Sequence, residues 1–310
     1  MLENVKSWIS AMRLRTLPLA LACIFTGSAL SLKYYDIFTG NAFSLSIFIL
    51  ACLTTISLQI LSNLANDYGD GQKGTDNAQR IGPMRAVQSG SISLDDMKKG
   101  VIISAICSFI FGVCLLYVSF GWEHMLYSLF FLVVGIAAIA AAIKYTVGNN
   151  AYGYNAMGDI FVFIFFGIVG VIGTSFLYTH AFRWTFVLPA ITIGGLSTGV
   201  LNLNNMRDIE NDLASNKITL AIKLGLQNAK IYHILLIVLS LLSLLVFTYI
   251  THTHAPFLNS YLYVLSYPIF VIHLIKVYKI SEHKDFNPLL PMLAMSTFVL
   301  SILFFISCYL

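Results

Sequence analysis

The stretch FSLSIFILACLTTISLQILSNLANDYGD, residues 43–70, joins a long apolar segment directly to a polar run. Residues 43–64 can form a transmembrane helix, which needs about 20 apolar residues. The polar run Asn63-Leu-Ala-Asn-Asp-Tyr-Gly-Asp70 follows, and Gly74-Thr-Asp76 comes shortly after it. Carboxylates are unfavourable near a bilayer and usually mark a functional site there. This stretch therefore predicts both a membrane fold and a functional site at the edge of a span.

The composition of the whole chain also predicts a membrane protein. Of its 310 residues, 58% are hydrophobic and 10% are charged, whereas a soluble domain carries about 25% charged residues. We predict one integral-membrane domain, 1–310, that is an all-α bundle of nine transmembrane helices. The predicted spans are roughly residues 16–32, 43–64, 100–120, 125–143, 160–178, 184–203, 231–250, 258–277 and 288–310.

The first 15 residues have a different pattern. Val5, Trp8, Ile9 and Met12 recur at helical spacing among basic residues. This pattern is typical of an amphipathic helix lying at the membrane interface. We therefore expect residues 1–15 to form an interfacial helix that leads into the first span.

The distribution of basic residues predicts the topology. With nine spans, 16 of the 18 Lys and Arg residues fall on the side of the N-terminus, and only Lys33 and Arg183 fall on the other. The positive-inside rule then predicts a protein of the cell inner (cytoplasmic) membrane, with its N-terminus in the cytoplasm and its C-terminus on the outer side. The long loops all lie on the cytoplasmic side, so we expect the functional site there.

A second polar run repeats the pattern of the first. Asn202-Leu-Asn-Asn-Met-Arg-Asp208 ends the sixth span and is followed by Asp212. The two runs end spans two and six, so they lie on the same side of the membrane. Spacings of three or four residues place side chains on one helix face. The faces carry Asn63, Asp67 and Asp70 in the first run, and Asn204, Asp208 and Asp212 in the second.

Acidic residues at these spacings repel one another on a helix, so a counter-charge is expected. Mg²⁺ takes oxygen ligands, commonly one or two carboxylates together with substrate phosphates. Two facing clusters would suit Mg²⁺ around a diphosphate. Asp and Asn also cap helix ends, but two matched runs on one membrane side favour the site. The candidate metal ligands are Asp67, Asp70, Asp76, Asp208 and Asp212.

One other polar run has a simpler interpretation. Ser93-Leu-Asp-Asp96 has the pattern of a helix N-cap, so we assign it no catalytic role.

Basic residues surround both acidic runs, and Arg and Lys suit phosphate contact. Each also fits a positive-inside signal, so this alternative stays open for every one of them. The candidates for diphosphate contact are Lys73, Arg80, Arg85, Arg207 and Lys217.

A third polar island, residues 144–154, precedes Gly158-Asp159 at the start of span five. It contains Tyr145, Tyr152 and Tyr154. Tyrosines at this depth form interfacial belts, and aromatic faces also stabilise cations. The sequence leaves open whether these three form a belt or line a substrate pocket.

At these runs the chain resembles the UbiA-type intramembrane aromatic prenyltransferases, in particular those members that act on 1,4-dihydroxy-2-naphthoate in menaquinone synthesis. The resemblance extends along nearly the whole chain, with one departure: Ala151 stands where Pro usually precedes Tyr-Gly-Tyr. The matching runs are Met12–Pro18, Asn63–Asp70, Gly74–Asp76, Arg80–Arg85, Tyr145–Gly148, Tyr152–Tyr154, Asn204–Asp208 and Lys217–Ala221.

The resemblance implies a central cavity that opens to the cytoplasmic side and a reaction that depends on Mg²⁺. A polyprenyl diphosphate would donate its prenyl group to 1,4-dihydroxy-2-naphthoate, with loss of CO₂ and diphosphate, to give demethylmenaquinol. The protein would be surrounded by membrane lipid and would have no nucleic-acid partner. The implied catalytic residues are Asp67, Asp70, Tyr145, Asp208 and Asp212. The implied contacts of the aromatic substrate are Arg13, Asn63, Asn66, Tyr145, Tyr152, Tyr154, Asp159, Asn204 and Asn205.

Two alternatives remain. Within the family, the acceptor could be another aromatic acid such as 4-hydroxybenzoate, which keeps its carboxyl group. From another class, a cation-coupled transporter could use the Asp residues as ion ligands. The two runs form a parallel repeat at the cytoplasmic edge, however, whereas many transporters bind at the midplane between inverted repeats.

Overall fold

The protein is described by a computed structural model that covers residues 2–34, 44–76, 81–251 and 257–310. Over these ranges the chain is helical, and its only β-type pairing is an isolated bridge between Asn155 and Ile218. Nine helical segments of the described chain are long and apolar enough to cross a membrane, which confirms the predicted count.

The N-terminal half contains five helices: α1 (Leu2–Met12), α2 (Leu17–Tyr34), α3 (Leu45–Lys73), α4 (Leu94–Phe120) and α5 (Met125–Lys144). The helix expected for the first 15 residues is present as α1. It ends at Arg13, whose φ of 49° is left-handed. Helix α3 continues past residue 64, the predicted end of its span, so the first acidic run is helical.

Both ends of α3 are capped. Ser44 Oγ accepts a hydrogen bond from the backbone N–H of Ile47, and Gly74 ends the helix with a φ of 69°. A left-handed glycine after the last turn is a common helix stop because glycine lacks a Cβ. The predicted N-cap at Ser93 is confirmed, since its Oγ accepts from the backbone N–H of Asp96 over 3.1 Å.

The C-terminal half begins with one span in three parts, α6 (Gly158–Val162), a wide π-helical stretch (Phe163–Gly173) and α7 (Thr174–Thr179). The remaining helices are α8 (Val187–Arg207), α9 (Ile209–Ala214), α10 (Leu220–Ile250), α11 (Phe257–Ser260), α12 (Tyr267–Lys279) and α13 (Leu289–Tyr309). Helix α10 starts earlier than the predicted residue 231 and is broken at Gly225, where φ is 73°.

Close helix pairs hold the bundle together. Helix α2 packs along α13, α3 along α4, and α8 along both α10 and the π-helical stretch. Small residues permit these approaches: a Cβ on Gly167 would lie 2.6 Å from the carbonyl oxygen of Ala190. Such small residues are typical of helix contacts in membranes. The central α8 is deeply buried, with Ile193, Leu196 and Leu203 inaccessible, so the second acidic run is anchored at the end of a fixed helix.

Candidate active site

The first acidic cluster is gathered around one guanidinium. Arg85 Nη1 lies 3.6 Å from Asp67 Oδ1 and 3.3 Å from Asp70 Oδ2. Its Nε lies 3.1 Å from Asp76 Oδ1. Burial alone would lower the pKa of Arg85, but the three carboxylates outweigh it, so the pKa lies above its ordinary value. The cluster therefore combines three carboxylates with one fixed positive charge.

A second arginine reaches the same cluster from the turn between α1 and α2. Arg13 Nη2 lies 3.6 Å from Asp67 Oδ1. Asn63 holds this turn against α3, because its Nδ2 donates to Met12 O over 2.9 Å and to Thr16 Oγ1 over 3.1 Å. Two residues of the predicted face of α3 therefore contact the same turn: Asn63 holds its backbone, and Asp67 lies beside Arg13.

In the second cluster each carboxylate has its own basic partner. Asp208 is held by Arg207 through two contacts, Nε to Oδ1 at 2.8 Å and Nη2 to Oδ2 at 2.5 Å. Asp212 Oδ1 lies 3.2 Å from Lys217 Nζ. Burial raises the pKa of Asp212 to about 6, although Lys217 opposes the shift. Burial lowers the pKa of Lys217, but the surrounding carboxylates reverse this and raise it.

The two clusters meet at one end of the bundle, as predicted. Tyr154 donates to Asp70 Oδ1 over 2.8 Å, and Lys217 Nζ lies 5.7 Å from the centre of the same tyrosine ring. Asn211, between the two acidic positions of the second run, donates to Thr75 O over 3.0 Å. The loop after α5 therefore joins the ends of α3 and α8.

The other two tyrosines of this loop form one aromatic wall. The rings of Tyr145 and Tyr152 meet edge to face at 5.3 Å, and Tyr152 stacks on Phe161 at 3.9 Å. Burial raises the pKa of Tyr145 to about 12. The loop is held by Thr146, whose Oγ1 donates to Ala65 O over 3.0 Å. A Cβ on Gly69 would lie 2.6 Å from that Oγ1, so glycine is needed there.

A cavity of about 420 Å³ is lined by Asp70 of the first cluster and by Lys217, the partner of Asp212 in the second. Its polar end is lined by Arg13, Asn63, Asn66, Asp70, Arg85, Tyr145, Asn204 and Lys217, and Tyr152 lies nearby. The rest is mainly apolar and lies between α4, α5 and the π-helical stretch. Because Tyr145 and Tyr152 line this cavity, the structure favours a pocket over a lipid-facing belt for these two residues. A second cavity of about 410 Å³ shares Arg13, Arg85 and Asn204 and also reaches Asp67 and Arg207.

Several candidate residues lie elsewhere. Asp159 is buried and accepts a hydrogen bond from Tyr232 over 3.2 Å. The described candidate residues that line neither cavity are Lys73, Asp76, Tyr154, Asp159, Asn205, Asp208 and Asp212. Lys73 is exposed, with its Nζ 3.8 Å above the ring of Tyr154. Arg207 Nη2 also donates to Asn204 Oδ1, so its donors are already engaged inside the protein. Arg80 lies outside the described residues.

The acidic residues fit Mg²⁺ only in combination with phosphate. In the described part of the chain, no three His, Cys, Asp or Glu side chains lie close enough to hold a metal ion by themselves. Oδ2 of Asp212 and Oδ1 of Asp67 are buried and accept no hydrogen bond. These are hard oxygen donors, and Mg²⁺ usually combines one or two carboxylates with substrate phosphates and water. The donor set therefore fits Mg²⁺ bound together with a diphosphate.

Some residues that build the site were not identified from the sequence. Asn287 accepts from Arg207 Nη1 over 3.1 Å, and His283 Nδ1 lies 2.7 Å from Met206 O. Both come from the connection before α13 and carry no local sequence signal. Thr75 and Thr146 differ, because they lie within the runs Gly74–Asp76 and Tyr145–Gly148 and their hydroxyl groups are a local signal.

Comparison with known proteins extends this description. Residues 16–307 match the UbiA prenyltransferase family. The chain is 44% identical over 302 residues to the 1,4-dihydroxy-2-naphthoate octaprenyltransferase of Haemophilus influenzae, which covers 97% of this chain and 95% of that protein. It is 37% identical to the Escherichia coli protein of the same name, over 100% of this chain and 97% of that one.

Two solved structures share the fold. A UbiA homologue from Aeropyrum pernix has a TM-score of 0.64 at 14% identity, covering 92% of this chain and 97% of its own. A UbiA homologue from Archaeoglobus fulgidus bound to DMAPP and Mg²⁺ has a TM-score of 0.60 at 13% identity, covering 93% of this chain and 98% of its own. At these identities the likeness shows the fold alone.

Proposed function

We propose that this chain, which belongs to the UbiA prenyltransferase family, transfers a polyprenyl group from a polyprenyl diphosphate to 1,4-dihydroxy-2-naphthoate. The names of the relatives support this reaction. The observation that carries the proposal is the polar end of a largely apolar cavity, where Asp70 and Arg85 of the first cluster meet Lys217, the partner of Asp212 in the second. A polyprenyl diphosphate matches this cavity, because its charged head suits the polar end and its hydrocarbon tail suits the apolar part.

Two basic residues of the polar end, Arg85 and Lys217, would bind the diphosphate. Arg85 and Lys217 line the cavity, and the pKa of each is raised, so both stay cationic beside the phosphates. The carboxylates Asp67, Asp70, Asp76, Asp208 and Asp212 would hold Mg²⁺. When bound, Mg²⁺ supplies positive charge that offsets the charge growing on the departing diphosphate.

Ionisation of the donor breaks its carbon–oxygen bond, and the electron pair leaves with the diphosphate. The allylic cation that remains would lie beside Tyr145 and Tyr152, whose ring faces can stabilise positive charge. The apolar cavity excludes water, which would otherwise capture the cation. The electron-rich naphthoate ring then attacks, and its carboxyl group leaves as CO₂ with restoration of aromaticity.

The acceptor needs its own polar contacts, because two anionic substrates must be held apart. Arg13, Asn63 and Tyr145 lie at the cavity's polar end and are proposed to bind the naphthoate carboxylate and hydroxyl groups. A donor is needed there because an unpaired anion is strongly disfavoured in an apolar site.

A product assay tests the proposal. Purified protein in detergent receives Mg²⁺, octaprenyl diphosphate and either 1,4-dihydroxy-2-naphthoate or 4-hydroxybenzoate, each labelled in the carboxyl carbon. We expect labelled CO₂ and a prenylated naphthalenediol from the first acid only. Prenylated hydroxybenzoate that retains its label would instead assign this chain to the other acceptor. Family membership leaves the cation-coupled transporter without support.

For the cellular setting, the multi-pass membrane location follows from the family and the nine apolar helices. We propose the bacterial inner membrane, with the site facing the cytoplasm, on the basis of the 16-to-2 division of Lys and Arg.

A further inference from the structure

The apolar part of the first cavity is long. On α5 its lining residues run from Phe131 to Tyr145. At a rise of about 1.5 Å per residue these 14 steps span about 21 Å of helix axis. Tyr145 marks the polar end, where the reacting carbon of the donor would lie. The cavity therefore follows the path that an extended hydrocarbon tail would take away from the diphosphate.

The cavity is too small to enclose a long tail. Its volume is about 420 Å³, within the range of pockets that hold a drug-sized ligand. Phe109, Val113 and Ile136 line it and are also 42–51% exposed, so the cavity approaches the surface of the bundle on the side of α4 and α5. A long tail would have to pass between these helices.

Two glycines line this part of the cavity, Gly112 on α4 and Gly135 on α5. A Cβ on Gly135 would have no atom within 4 Å, and a Cβ on Gly112 would meet only Thr54 Cγ2, at 3.9 Å. Other glycines of the bundle differ, since a Cβ on Gly170 would lie 2.8 Å from Cys23. Gly112 and Gly135 are therefore not required by helix packing.

The two glycines also lie at similar depth. Helices α4 and α5 are antiparallel neighbours joined by a short turn. Gly112 lies eight residues before the end of α4 at Phe120, and Gly135 lies ten residues after the start of α5 at Met125. Both line the cavity, so neither helix adds a side chain to the cavity at these two positions.

We propose that Gly112 and Gly135 determine how long a prenyl chain this protein accepts, by keeping the passage between α4 and α5 open. This inference rests on the proposed function, because it presupposes a prenyl diphosphate donor. Gly135 lies ten residues from Tyr145, about 15 Å along the helix. An isoprene unit of four carbon–carbon bonds of about 1.5 Å each extends about 5 Å. The passage is thus reached at about the third isoprene unit.

The test compares donors of two, four and eight isoprene units: geranyl, geranylgeranyl and octaprenyl diphosphate. The variants Gly135→Leu and Gly112→Leu place a bulky side chain in the passage. We expect kcat/KM for geranyl diphosphate to stay within two-fold of the wild-type value and that for octaprenyl diphosphate to fall at least ten-fold. Geranylgeranyl diphosphate should show an intermediate loss.

Two controls separate blockage from misfolding. Ala137→Leu adds the same bulk on α5 at an exposed position that does not line the cavity, and it should keep the wild-type donor preference. Gly135→Ala adds one methyl group and should change little. Leucine and alanine have a higher helix propensity than glycine, so the thermal unfolding midpoint in detergent should not fall in the variants of Gly112 and Gly135. Ala137→Leu exchanges two good helix formers, so its midpoint should stay near that of the wild type.

The outcomes distinguish the two proposals. An unchanged octaprenyl-to-geranyl ratio in both leucine variants, or an equal loss for every donor, would overturn the role of the glycines while leaving the prenyl transfer intact. If the wild-type protein made no prenylated product from any of the three donors, the proposed function itself would fail.

Discussion

Tyr154, in the loop after α5, donates a hydrogen bond to Oδ1 of Asp70 on α3 over 2.8 Å. Thr75 Oγ1 lies 2.6 Å from the same phenol oxygen. Since the phenol proton points to the carboxylate, Thr75 is the donor in the second contact. Tyr154 therefore fixes Asp70 and connects the third polar island to the first acidic cluster.

Replacing Tyr154 by Phe should impair both stability and turnover. A hydrogen bond to a charged group contributes about 1.5–3 kcal/mol to stability, so we expect the thermal midpoint in detergent to fall by several degrees. We also expect kcat to fall about ten-fold in steady-state assays, because Asp70 is no longer held in place; this corresponds to about 1.4 kcal/mol. Tyr68→Phe is the matched control, because the Tyr68 phenol only accepts from Gln72, one turn further along α3. Equal rates for both variants would show that the contact with Asp70 does not matter.

The acidic residues should be needed individually. Asp67→Asn, Asp70→Asn, Asp208→Asn and Asp212→Asn each remove one charge but keep the shape, and we expect each to lower turnover at least a hundred-fold at limiting Mg²⁺. EDTA should abolish wild-type activity and added Mg²⁺ should restore it. Asp95→Asn, in the exposed first turn of α4, is the control and should be neutral. Wild-type rates in several of the four variants would exclude these carboxylates as metal ligands.

The acceptor subsite is tested by Arg13→Ala and Tyr145→Phe. We expect a raised KM for 1,4-dihydroxy-2-naphthoate or a lowered kcat, by about ten-fold, and little change in the KM for the prenyl diphosphate. The measurement varies each substrate in turn at saturation of the other. Lys6→Ala removes an exposed charge on α1 and serves as the control. An effect limited to the prenyl diphosphate would move both residues to the donor subsite.

Gly69 offers a test of stability. A Cβ there would lie 2.8 Å from the Thr146 backbone carbon, and neither helix α3 nor the loop can yield easily. Overpacking of this kind usually destabilises a protein by about 1–3 kcal/mol. We expect Gly69→Ala to lower the thermal midpoint by several degrees and to reduce activity, because the loop also carries Tyr145. The same substitution at Gly135, where the new methyl group meets no atom within 4 Å, should leave the midpoint unchanged.

The topology prediction concerns the two ends of the chain. Reporter fusions at each terminus should place the N-terminus in the cytoplasm and the C-terminus outside, as expected from nine spans and the strong bias in basic residues. Two reporters on one side of the membrane would contradict an odd number of spans.

The sequence by itself determined the class of the fold and the composition of the site. Span lengths depend on runs of about 20 apolar residues, which are local properties of the chain, and all nine predicted spans have a helical counterpart. The cap at Ser93 was predictable for the same reason, because donor and acceptor are three residues apart. The repeated Asn and Asp spacing identified the acidic face of α3, since residues three or four apart share one side of a helix. The second run does not lie on a single helix as predicted, because α8 ends at Arg207 and α9 begins at Ile209.

Only the tertiary structure decided which of the candidate side chains face the cavity. Arg207 reaches the second cavity, but its guanidinium already contacts Asp208 and Asn287, the latter 80 residues away. Asp159 is paired with Tyr232 instead of lining the cavity. Asn287 and Tyr232 lie far from their partners in the sequence, and no local pattern encodes how distant segments of the bundle meet. The same holds for Gly112 and Gly135, because whether a glycine faces a neighbouring helix or an open passage depends on the packing of the whole bundle.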